Sequence, residues 1–375
     1  MRLNGPTAEP AGWAGPQASW PDRAWVLKKL TVFLTFLGLV AITAAMAWSG
    51  FDSVLRAVLS IGFGGFLVVI CCQMVVNGVL GLAWHAAFPE IGYLRLLGAR
   101  MVRDAAATCL PFSQVGGMVL GVRATCFRAG SSGRAIDLPE ATCANLVDIT
   151  TEVMGQVVFV LLAVASLVAY QRSNPLVVPV ICGAVFLVLG VAGFIWTQRN
   201  GGNLLRRFGG AFTRSMAGQW HDGLLSGMDT MQERLEAAWS RPWHIAASAA
   251  YHLVGWLGGA GMLWLTAGYL GVHLTFSHAV AVEGVACAIM SVGFLVPGSL
   301  GVQEGAYMAL GHAFGIEASV SLGLSLLRRG RELVIGIPVL LIWQVLEMRG
   351  LRRRQALAAG ASAAAPAQGE DTHLG

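Results

Sequence analysis

Arg328, Arg329, Arg331 and Glu332 sit inside an otherwise apolar stretch, 319–347, of this 375-residue chain. Asp148 and Glu152 take similar positions in a second stretch, 140–169. Glu283 and Glu304 fall in a third, 276–314, and His252 in a fourth, 243–270. An ionised side chain in hydrocarbon is costly, so each of these needs a partner or a purpose. The chemistry they suit is the holding of an anion. A guanidinium offers phosphate or carboxylate a planar, permanently charged fork of donors. Residues 328 and 332 are four apart and share a helix face, with 331 beside them. A helix beginning after Pro297-Gly298 would add backbone donors at its positive end. The candidate site, a cavity for a lipid headgroup, therefore comprises Arg328, Arg331, Glu332, Glu304, Pro297, Gly298, Gly301, Asp148 and Glu152. The competing reading is structural: the four carboxylates pair with the arginines and brace the bundle. The two are compatible, because a cavity can be both braced and used.

Other chemistries find no constellation. No Ser/His/Asp arrangement, Walker loop or nucleotide fingerprint is present, which argues against direct ATP-driven pumping, and no catalytic residue or cofactor is assigned. His244, His252, His273, His278 and His312 are scattered without metal-ligand spacing, so no metal is expected. The seven cysteines lack CxxC spacing and mostly lie in apolar segments, where cysteine acts as a small hydrophobe. Glycine groups at 62–65, 78–81 and 255–261 read as close helix packing. One enzymatic alternative stays open, with Glu304 or Glu332 as general base of an intramembrane lipid-modifying enzyme. That role needs a substrate proton within reach and a tuned pKa.

The elements that must position these residues are helices. Hydrophobic residues make up 55% of the chain and charged residues only 12%, about half the share in a soluble domain. A helix needs about 20 apolar residues to cross a bilayer. Six segments qualify: 27–48, 60–86, 140–169, 176–196, 243–270 and 319–347. Two more, 98–124 and 276–314, are interrupted at Leu110-Pro111-Phe112-Ser113 and at Val296-Pro297-Gly298-Ser299. Of the 25 basic residues, 20 fall in the segments 1–29, 87–138, 197–243 and 349–375, the clustering of cytoplasmic loops rather than of a nucleic-acid patch. With both termini and 197–243 in the cytoplasm, both broken segments must turn back, the first entering from the cytoplasm and the second from the opposite side. Each is followed by a span, and Leu146–Val153 aligns with Leu326–Leu333. The expected fold is an all-α polytopic membrane protein of about six transmembrane helices plus two re-entrant hairpins, a candidate inverted repeat of the kind that places binding sites at mid-membrane.

Outside the membrane domain, 25–348, residues 1–24 read as a disordered tail and 349–375 as a basic, then disordered, one. The segment 203–240 has apolar residues at three- and four-residue spacing. It reads as an amphipathic helix, lying in the headgroup layer or packed beneath the bundle.

The stretch from Pro297 through Gly298, Gly301 and Glu304, followed by the span bearing Arg328, resembles the transmembrane, flippase-like half of lysylphosphatidylglycerol synthases. Within that family it resembles the stand-alone members associated with hopanoid biosynthesis. The family pattern is a Pro-Gly-x-x-Gly-x-x-Glu turn and then an Arg-bearing span; the first-half counterpart, Pro111 to Gly116, lacks the glutamate. The resemblance implies handling of an anionic phospholipid or a hopanoid in a bacterial inner membrane, by translocation between leaflets or delivery during synthesis. It also allows lipid-synthesis enzymes as partners, with this chain as their scaffold. Aminoacyl transfer belongs to a separate soluble domain of the full-length synthases. No nucleic-acid partner is implied.

Overall fold

The computed structural model describes residues 51–110, 113–127, 134–170, 231–292 and 299–364, with isolated positions between 181 and 196. The helices are α1 (Phe51–Ser60), α2 (Gly62–Ala87), α3 (Tyr93–Cys109), α4 (Ser113–Cys126), α5 (Leu138–Tyr170), α6 (Pro242–Tyr269), α7 (Phe276–Val292), α8 (Val302–Ala313) and α9 (Ala318–Ala364). No strand occurs among the described residues. The protein is an all-α membrane protein.

Local sequence accounts for several helix ends. Asp137 accepts the Glu140 N–H at 2.8 Å at the start of α5, and Thr275 accepts the His278 N–H at 3.2 Å at the start of α7. Gly271 and Gly315, at φ +76° and +72°, turn the chain after α6 and α8, where a side chain would be strained.

Three described helices are long and apolar enough to cross a membrane: Gly62–Ala87, Leu138–Tyr170 and Ala318–Gly350. They match three of the six expected spans. A fourth, 243–270, forms the 28-residue α6, long enough to cross but less apolar, since glycine and tryptophan dilute it. The spans expected at 27–48 and 176–196 lie wholly or mostly outside the described residues, as does the breakpoint Pro111-Phe112. Of the amphipathic segment 203–240, the described part is helical over 231–239.

Long helix, two short helices, long helix: the chain runs through this order twice, as α2–α5 and as α6–α9. Contacts give the directions. Leu80 meets Gly255, Val76 meets Gly258 and Tyr269 meets Gly65, so α2 and α6 run antiparallel. Thr151 bonds Ser248 while the Phe159 and Trp256 rings stack, so α5 and α6 run parallel. Gly336 lies against Ala105 and Cys109, whereas Trp343 packs with Leu96 and Ala99, so α9 runs opposite to α3. The second half therefore repeats the first upside down.

The short helices form two antiparallel hairpins. Arg95, near the start of α3, donates to the Thr125 carbonyl near the end of α4 at 2.8 Å. On this same face Arg241 binds Glu90, Arg234 binds Asp137 and Glu140, and Arg123 binds Glu347. On the opposite face Tyr170, His278 and Phe314 cluster, joining the end of α5 to the start of α7 and the end of α8. The first hairpin thus enters and leaves at an arginine-rich face and the second at the other. Each has its own apolar core: Trp84, Leu96, Val102, Ala144 and Trp343 around the first, and Phe159, Ala163, Leu263, Val285 and Leu310 around the second.

One expectation needs correction. A disordered tail is expected from Ala356, but α9 continues to Ala364. Alanine is the strongest helix former, the single Gly360 is tolerated within the run, and no proline intervenes until Pro366.

Candidate functional site

Where α9 crosses α7 and α8, its arginines sort into different environments. Arg328 binds the Glu283 carboxylate of α7, donates to the Tyr307 hydroxyl of α8 at 3.0 Å and reaches Glu332 at 3.2 Å. Tyr307 in turn donates to Glu283. Arg329 points to the other side of the helix and meets Glu304 at 2.8 Å. Arg331 is 7% exposed, meets no carboxylate among the described residues, and places Nη1 3.1 Å from the Met262 sulfur. Its Nε has no hydrogen-bond partner.

Arg328 and Arg331 line a partly open cavity together with Glu283, Tyr307, Gly259 and Met262. Its free interior is about 10 Å³, roughly the room one water requires. The cavity lies within the second half: α6 walls one side, α7 and α8 the second, and α9 the third, with Val69 of α2 the one lining residue from the first half. Gly259 of α6 borders Glu283, and a Cβ there would make only an ordinary contact with Oε1, at 3.5 Å.

Glu304 stands apart from this cavity. It is 1% exposed, and its oxygens are divided between Arg329 and the Gly301 N–H, which donates to Oε2 at 2.8 Å. Gly301 has φ +78°, which explains glycine at that place, and Glu304 closes the first turn of α8 from its third position. The turn motif is thereby a clasp that pins α8 to α9. Gln303 adds bonds to the Ser325 carbonyl and hydroxyl at 3.0 and 2.9 Å. Pro297 and Gly298 lie outside the described residues.

Asp148 and Glu152 belong to a second cluster and do not line the cavity. Arg100 and Arg103, from α3, grip both: Arg100 reaches Asp148 at 3.1 Å and Glu152 at 2.6 Å, and Arg103 reaches them at 2.7 and 2.9 Å. Asp104 binds Arg100 at 2.7 Å, and the Arg103 guanidinium lies 5.3 Å from the Trp84 ring. His252 of α6 places Nε2 3.1 Å from Asp148.

Sequence reasoning reaches Arg328, Arg331, Glu332 and Glu283 but misses Tyr307, Gly259 and Met262, ordinary residues on apolar helices. It also reads Arg100 and Arg103 only as loop charges flanking a hairpin. Their three-residue spacing, with Asp104 adjacent, is the signal that could have placed them on one helix face.

Two inverted helical halves, each with ion pairs buried between its hairpin and the long helix that follows, define an integral membrane protein. A family model, the lysylphosphatidylglycerol synthase TM region, matches residues 35–339, and the chain belongs to that family. Membership gives it a role connected with membrane lipids. No curated protein and no solved structure matches the chain.

Proposed function

We propose that this chain moves a lipid bearing an anionic headgroup between leaflets, the anion docking on Arg331. The single observation behind this reading is an arginine almost wholly buried in a cavity among α6, α7, α8 and α9, with a donor left unbonded. A buried guanidinium without a carboxylate is costly unless it has a ligand for part of its cycle. Arg328, already bound to Glu283, supplies a second positive group at the cavity wall. The free interior is far smaller than a headgroup, so the cavity must widen on loading. The α2–α6 contact beside the cavity is close-packed, with Leu80 and Val76 seated against Gly255 and Gly258.

The arginine-rich face is the cytoplasmic one of a bacterial inner membrane, which puts both termini in the cytoplasm. Hopanoid metabolism as the setting rests on the resemblance alone. Of the enzymatic alternatives, Glu304 is the weaker base because both its oxygens are engaged. Glu332, bound only through Oε1 to Arg328, is the better one.

The test is reconstitution with labelled phosphatidylglycerol and, separately, a labelled hopanoid. Wild-type protein is expected to accelerate transbilayer movement of the anionic lipid. Arg331→Met, which keeps the side chain's bulk, should lower that rate at least about tenfold while thermal stability in detergent holds or rises. Unchanged movement of every lipid by wild-type protein, or full activity of Arg331→Met, overturns the reading. A new lipid product in the reaction favours the enzyme instead.

A further inference from the structure

The cluster around Asp148 is one positive charge short. Asp104, Asp148 and Glu152 face Arg100 and Arg103, three carboxylates against two guanidinium groups. The remaining ionisable neighbour is His252, fully buried, with Nε2 at Asp148 and with Nδ1 lacking any partner. The chain thus holds at mid-membrane an imidazole bonded to a fully buried carboxylate. Among the described residues no group of three or more His, Cys, Asp or Glu side chains is arranged to hold a metal ion.

We infer that His252 and Asp148 form a proton-binding site that couples lipid movement to a transmembrane proton gradient. The inference rests on the lipid-moving role proposed above. With imidazole neutral the cluster carries one net negative charge; a proton taken up by the imidazole makes it an imidazolium facing Asp148 and brings the cluster to neutrality. Exposure falls along a continuous polar route, from Asp104 at 42% through Glu152 at 24% to Asp148 and His252 at 0%. That gradient gives protons a way in.

The groups facing His252 come from three helices. Arg100, Arg103 and Asp104 lie on α3; Asp148, Glu152 and the Thr151 hydroxyl lie on α5; Ser248 lies one turn away on α6 itself and bonds Thr151 at 2.9 Å. Next to this position α2 meets α6 through the apolar Val76 and Leu80, and Glu283 of α7 meets it further along, at Gly259.

Coupling follows from α6, which carries both sites. His252 and Met262 are ten residues apart, about 15 Å along one helix, and Gly255 and Gly259 lie between them on the packed face. A buried cluster with net charge resists being moved in a low-dielectric medium, whereas a neutral one moves with its helices. Protonation at His252 would therefore free α5 and α6 to shift against α2 and α9, which opens and closes the Arg331 cavity. Charge at one site and access at the other become two aspects of one helix displacement.

Proteoliposomes carrying wild-type protein or His252→Gln, with labelled phosphatidylglycerol and with or without an imposed pH gradient, test the coupling. The glutamine keeps a donor for Asp148, and folding is checked by its thermal transition in detergent. Wild-type movement should accelerate at least about fivefold under the gradient, and the variant, whose cluster cannot be neutralised, should move lipid more slowly than wild type and at the same rate with and without the gradient. A second arm uses isotope-labelled histidine, reading by NMR the imidazole signal that disappears in His252→Gln. That signal should pass from the neutral to the protonated form as the pH on the proton-supplying side is lowered. Movement that ignores the gradient in wild-type protein, equal acceleration in the variant, or an imidazole that stays neutral throughout overturns the inference and leaves the lipid-moving reading standing. A titrating imidazole in a protein that moves no lipid overturns the transport reading, and the coupling with it.

Discussion

Consecutive residues of α9 do different work because a helix turns them to different neighbours. Arg328 faces Glu283 and Tyr307, Arg329 faces Glu304, and Arg331 faces a thioether and empty space. Three arginines in four positions look like one patch in the sequence, yet two are braces and one is unsatisfied. Glu304 belongs to the bracing set. Removing one partner of a buried ion pair strands the other, so Glu304→Ala should cost about 3–5 kcal/mol, measured by unfolding in mixed detergent micelles. Glu304→Gln keeps an acceptor for the Gly301 N–H and should lose less. Equal stability of both variants and the parent would mean the clasp holds nothing.

Among the elements, the helix contacts that set the geometry are glycine contacts. A Cβ at Gly155 would meet the Ala249 carbonyl and the Leu253 nitrogen at 2.9 Å, backbone atoms that cannot turn aside. Gly155→Val should force α5 from α6 and destabilise by about 1–3 kcal/mol, seen as a lower thermal transition in detergent. Gly268→Ala, where a Cβ meets nothing within 4 Å, serves as the control and should stay within about 0.5 kcal/mol of the parent. Because α5 and α6 also hold Asp148, Glu152 and His252, Gly155→Val should blunt the response to a pH gradient more than Gly268→Ala does. The hairpins are legible as apolar segments broken by proline. Their partners are not, because apolar helices of similar composition give no sign of which neighbour each will choose.

For the whole molecule, the repeat has a consequence for charge. Asp148 and Arg328 occupy corresponding places on α5 and α9, and each is met by opposite charge from the hairpin before it, Arg100 and Arg103 in one half and Glu283 in the other. The two halves use the same device with the signs exchanged. The orientation is open to direct measurement. A green fluorescent protein fused after Gly350 should fluoresce, since α9 ends at the arginine-rich face, whereas a fusion in the 271–275 loop should stay dark. Fluorescence from both would refute the assignment of faces.

Composition and the placement of arginine determined the membrane class, the helical fold and the direction of each hairpin, since all of these follow from the cost of moving charge and bare backbone into hydrocarbon. That cost is local and can be summed along a chain. Which carboxylate answers which guanidinium is not local. Asp148 and Glu152 were as well suited to Arg328 as to Arg100 and Arg103, and only the packing of α3 against α5 decided between them. The placing of α9 against α6 likewise left Arg331 Nε without a partner, and that of α6 against α5 left His252 Nδ1 without one. Charge pairing in a bundle depends on distances across helices, and those are fixed by which glycines let which backbones approach.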